Sequence, residues 1–69
     1  ALVDSMTDRE FEVFQLIGHG LGNKHVADKL HISVKTVENY REKIKSKLNI
    51  NSSSELVQFA VQYILDKTS

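Results

Sequence analysis

Cysteine, proline and tryptophan are all missing from this chain of 69 residues. Without cysteine there is neither a disulfide framework nor a thiolate metal site, and a reducing cytoplasm suits the composition. No apolar run approaches the roughly 20 residues of a membrane span, and no signal peptide is visible. Also absent are internal repeats, low-complexity tracts and any strand pattern. No nucleophile stands beside a base, and so short a chain leaves little room for a catalytic cleft. The sequence gives no reason to expect an enzyme or a cofactor.

Net charge is zero as well, which at first argues against a nucleic-acid partner. Its distribution reverses that argument. Residues 22–48 carry seven bases against three acids, net +4, between flanks of −3 (residues 1–21) and −1 (residues 49–69). A basic middle between acidic ends is an electrostatic footprint, weak by itself.

What is present is a 41% hydrophobic chain arranged at helical spacing. A chain this size buries only about 60% of its unfolded surface, so one small, modestly stable domain is expected. The ends read as cut from a longer protein. Residues 1–6 lack period and read as a linker end, with Met6 tucking under the first helix. Thr7 and Glu10 form a capping box for a helix over about 8–18. Phe11, Val13, Phe14, Leu16 and Ile17 make its broad apolar arc, and Gly18 and Gly20 terminate it. A second helix, about 23–30, turns Val26, Ala27 and Leu30 inward behind a weak cap at Gly22. Only His31 and Ile32 separate it from Ser33, which is the spacing of a helix-turn-helix.

The third helix, about 33–48, has two unlike faces. Val34, Val37, Tyr40, Ile44 and Leu48 form an apolar stripe, while Lys35, Glu38, Asn39, Glu42 and Ser46 point the other way. Asn49 reads as its left-handed terminator. A second capping box, Ser52 with Glu55, opens a fourth helix running to about 66. Leu56, Phe59, Ala60 and Tyr63 are its expected core face; Val57, Val61 and Leu65 form a second apolar row that suits an interface. Residues 67–69 read as a tail. The expected fold is therefore all-α, a four-helix bundle containing a helix-turn-helix over residues 7–66.

The runs TDRE and VFQLI, then GLGNKHVADKL, ISVKTVENYREKIKSKL and NSSSEL, resemble the LuxR/GerE-type helix-turn-helix domain over about residues 6–64. Such domains end NarL/FixJ-class response regulators and quorum-sensing regulators. The resemblance implies a DNA-binding effector domain of a transcriptional regulator, its third helix in the major groove and its fourth mediating a homodimer. It implies base contacts at Lys35, Glu38, Asn39 and Glu42, and backbone contacts at Asn23, Lys24, Thr36 and Lys43. It puts the dimer interface at Val57, Val61 and Leu65. It also implies double-stranded DNA, RNA polymerase and an upstream regulatory domain as partners, in the cytoplasm.

Two departures matter. Family members often carry Lys or Arg where Glu38 and Glu42 stand, and Tyr40 replaces a common His. A carboxylate in a groove gains only by accepting hydrogen bonds, most naturally from cytosine amino groups. The plainer alternative is pairing with Lys35, Arg41 or Lys45 on the same helix, worth about 0.2–0.5 kcal/mol per pair. Asn39 is the better reader, because a carboxamide grips adenine N7 and N6 together.

Other signals carry less. GHGLG follows a helix rather than a strand and lacks the spacing of a phosphate loop. His19, His25 and His31 recur every six residues, so no two share a helix face as metal ligands would. Asn51-Ser52-Ser53 matches a glycosylation acceptor in a chain with no sign of secretion. Two rival functions stay open: a promoter reader like region 4 of a sigma factor, and a helical protein-interaction module using the fourth helix.

Overall fold

The structure, a computed structural model, describes residues 2–68, with no account of the side chains of residues 2 and 68. Four α-helices follow one another: α1 (Asp8–Gly18), α2 (Asn23–Leu30), α3 (Val34–Lys47) and α4 (Ser53–Thr68). Among the described residues there is no strand. The stretch expected as aperiodic linker holds a short 3-10 turn at Leu2–Ser5, closed by the Met6 amide on the Val3 carbonyl at 3.2 Å. Val3 and Met6 both pack against the core, so apolar contact orders this stretch. The fourth helix continues through residues 67 and 68, where the sequence reading placed a tail.

The helix starts follow from hydroxyl caps. Thr7 accepts from the Glu10 amide at 3.2 Å while Glu10 accepts from the Thr7 amide at 2.9 Å, the expected reciprocal box. Ser33 accepts from the Thr36 amide at 3.1 Å, and Ser52 from the Glu55 amide at 3.1 Å. Gly22 caps α2 with backbone alone.

The ends of α1, α2 and α3 share one solution. Gly20, His31 and Asn49 each take positive φ, at 91°, 59° and 57°. The next amide then reaches back five residues: Leu21 to Leu16, Ile32 to Ala27, and Ile50 to Lys45, at 3.2, 3.0 and 2.8 Å. Those are Schellman closures, and the apolar residue after each one packs against the core. Asn49 behaves as its sequence predicts. Gly18 does not terminate α1; it is the last helical residue, and its reason is proximity. A Cβ there would lie 2.6 Å from both the Ala60 carbonyl oxygen and Ile64 Cγ1. Glycine lets α4 cross α1 at contact distance.

The core joins Val13, Phe14 and Ile17 of α1, Val26 and Ala27 of α2, Val37 and Ile44 of α3, Leu48, and Leu56 and Ala60 of α4. Tyr63 sets its ring edge-on to Phe11 and Phe14, with centroids 5.9 and 5.5 Å apart. Two expected core residues lie elsewhere. Phe59 is 39% exposed; it stands sixty degrees around the helix from Leu56, its ring tilted against Phe14 with centroids 5.9 Å apart. Val34 is also 39% exposed, because its position is rotated some 60–80° away from the line of Val37 and Ile44.

Candidate nucleic-acid interface

The left-handed residue His31 lets α2 turn directly into α3, and Ser33 fixes where α3 begins. Val37 and Ile44 are fully buried, with Tyr40 half-buried between them. Their opposite face is presented to solvent. Lys35, Glu38, Asn39, Glu42, Lys43 and Ser46 are all exposed. At 100° per residue, Lys35, Asn39, Glu42 and Ser46 run along the middle of that face, with Thr36 and Lys43 on one edge and Glu38 on the other. Thr36, Asn39, Tyr40 and Lys43 line one shallow depression. Thr36 is half-buried, and its hydroxyl hydrogen-bonds the Ser33 hydroxyl at 2.9 Å. Asn23 is half-buried at the first position of α2, and Lys24 beside it is exposed.

The carboxylates on this face differ. Glu42 pairs with Lys45 at 2.7 Å, one turn along the helix; its side chain is 72% exposed while that of Lys45 is only 15% exposed. Glu38 makes no ion pair or hydrogen bond among the described residues. Arg41 is half-buried, and burial lowers its pKa while Glu42 opposes the change. The group stays a cation at any ordinary pH.

Lys47 contributes to the +4 of residues 22–48, and the structure ties that charge to an acid. Its ammonium bonds Glu10 at 2.6 Å and the Ser5 carbonyl at 3.0 Å, on the side of α3 that meets α1. Glu10, half of the capping box that opens α1, is only 4% exposed. The Lys47 hydrogen bond holds its carboxyl below the ordinary value, against the opposing effect of burial, with help from Thr7. The available signal was modest: Lys47 lies seven residues after Tyr40, hence on the same half-buried flank. Five cations of the basic segment remain without an ion pair among the described residues: Lys24, Lys29, Lys35, Arg41 and Lys43.

On α4, Val57 is 37% exposed and Leu65 56% exposed, with Val61 half-buried between them. These three share one flank, and Phe59 emerges on the other. Among the described residues no trio of His, Asp and Glu is placed to hold a metal ion. No helix there is long and apolar enough to cross a membrane.

The family model GerE, described as bacterial regulatory proteins of the luxR family, matches residues 4–60. Oxygen regulatory protein NreC of Staphylococcus carnosus (strain TM300) is 47% identical over 57 residues, covering 83% of this chain and 26% of that protein. NreC of Staphylococcus epidermidis (strain ATCC 12228) gives the same figures, and NreC of Staphylococcus aureus (strain JH9) is 46% identical over the same span. The chain thus spans 26% of the length of these curated relatives.

Proposed function

Because the chain belongs to the luxR family of bacterial regulatory proteins, we propose that it is the duplex-DNA-binding effector domain of a cytoplasmic transcriptional regulator, with α3 in the major groove. One observation carries the reading. The outer face of α3 is polar and exposed, and five cations with no ion pair among the described residues lie on it or close beside it in sequence. A polar outer face is common to packed surface helices; the cations left without a partner are what suit a polyanion. Family membership also favours a regulator over a sigma-type promoter reader.

The division of labour follows from side-chain chemistry. Lys24 and Lys43, with the Asn23 amide and the Thr36 hydroxyl, grip phosphates and set register without reading sequence. Asn39 reads adenine, and Lys35 donates to guanine O6 and N7. Glu38, unpartnered, is positioned to accept from a cytosine amino group. Glu42 has Oε2 on Lys45 and Oε1 left to offer a base. Two copies joined through Val57, Val61 and Leu65 read half-sites about one helical turn, or 10 bp, apart. The relatives are named oxygen regulatory proteins and extend well beyond the matched part. An upstream regulatory domain, in the manner of a response regulator, and contact with RNA polymerase complete the proposal.

Salt tests it. Binding to a duplex selected from a randomised pool should weaken steeply with salt, with a log–log slope near −0.9 per phosphate contact. Lys24→Ala should lower affinity for all duplexes alike and flatten the slope by about one such unit. A flat salt response, or no duplex binding at low salt, overturns the reading. For the pairing of copies, Leu65→Glu should abolish self-association on DNA while leaving the helices intact.

A further inference from the structure

Among the described residues Glu10 is the buried charged side chain, and capping a helix does not require burial; at the start of α4, Ser52 caps the Glu55 amide and bonds its carboxylate through the hydroxyl while Glu55 stays exposed. What distinguishes Glu10 is Lys47. One ammonium bonds the Glu10 carboxylate and the Ser5 carbonyl together. Three stretches meet there: the Leu2–Ser5 turn, the first turn of α1 and the last turn of α3.

The consequence concerns the orientation of α3. Its first turn is located by the His31 turn and the Ser33 cap, and its last turn by Lys47. Apolar contacts at Val37 and Ile44 hold the middle, but such contacts are non-directional and tolerate small rotations. A charge-assisted hydrogen bond of 2.6 Å is directional and about twice as strong as a neutral one. Groove reading is sensitive to small displacements, since each base contact depends on aligned donors and acceptors. Lys47 itself faces α1, away from the row of Lys35, Asn39 and Glu42.

We infer that Glu10 and Lys47 are positioning residues for base recognition, fixing the attitude of α3 against α1 without touching DNA. The inference rests on α3 being the reading helix. Charge and positioning predict different outcomes for Glu10→Gln. This substitution deletes an anion, so charge alone tightens every duplex equally. Positioning predicts lost discrimination, because a neutral amide oxygen holds the ammonium less firmly and the last turn of α3 is released.

The test compares affinity for the duplex selected by the unaltered chain with affinity for an unrelated duplex of equal length. Measurements are made at a temperature where thermal melting shows each variant folded. Glu10→Gln should reduce the selected-to-unrelated ratio about tenfold, the order of one lost base contact, with affinity for the unrelated duplex unchanged or raised. Lys47→Arg, whose guanidinium can span both acceptors, should keep the ratio. A ratio unchanged in Glu10→Gln, with both duplexes bound alike or more tightly, overturns the inference and leaves the DNA-binding reading intact. Failure of the unaltered chain to bind any duplex overturns both. Should Glu10→Gln not fold, Lys47→Gln reads the same ratio against Lys47→Arg.

Discussion

The two halves of this domain are built for different purposes. In the α1–α4 half, aromatic rings and a glycine crossing make the contact: Phe11, Phe14, Phe59 and Tyr63 cluster, and Gly18 admits the Ala60 carbonyl. Both helices carry more acid than base. In the α2–α3 half the contacts are small and aliphatic, Val26, Ala27, Val37 and Ile44, and the outward surface is basic. One half supplies cohesion, while the other exposes chemistry on a short, tightly turned pair of helices. The Glu10–Lys47 pair is the polar link across them. Stability and recognition should therefore be separable by substitution, except at that link.

The largest effect is expected at the link itself. Lys47→Met leaves a nearly buried carboxylate without its cation and should cost about 2–3 kcal/mol in urea denaturation. The pH dependence should change with it. Glu10 titrates lower in the folded chain than its ordinary value of 4.5. Its contribution is therefore complete above that value and is lost as pH falls through the lower folded one. Lys47→Met should flatten this acid-side loss; an unaltered acid profile would place the link elsewhere.

Asn39→Ala probes the recognition half. Base discrimination should fall by about 1–3 kcal/mol, while stability stays within about 0.5 kcal/mol. A uniform loss on all sequences would remove Asn39 from the readers. Gly18→Ala probes the cohesive half and should do the reverse. Helix propensity favours alanine by up to about 1 kcal/mol, but a Cβ 2.6 Å from a backbone carbonyl opposes it by about 1–3 kcal/mol. Net destabilisation of about 1–2 kcal/mol is expected, with the ratio between duplexes unchanged. The smallest effect belongs to Glu42→Gln. Losing its exposed pair with Lys45 should cost only about 0.2–0.5 kcal/mol of stability.

Much of this was legible because it is local. Thr7–Glu10, Ser33 and Ser52–Glu55 announce helix starts within three residues, and the Asn49 terminator follows from αL tolerance. The outer face of α3 follows from period alone. What escaped depends on which helices meet. Gly18 looks like a terminator until α4 is laid across it. Phe59 looks like core until α4 is seen to present Leu56 and Ala60 instead. Lys47 counts only towards the charge of the basic segment until the end of α3 is seen against the start of α1. Periodicity assigns faces to a helix; it does not say what lies opposite them.

The most direct test of the account is backbone amide NMR during titration with a duplex selected from a randomised pool. Perturbations should concentrate on Asn23 and Lys24 of α2 and on Lys35, Thr36, Asn39, Glu42 and Lys43 of α3, with the inner residues of α1 little changed. Perturbations confined to α4, around Phe59 or Leu65, with α3 silent, would contradict it.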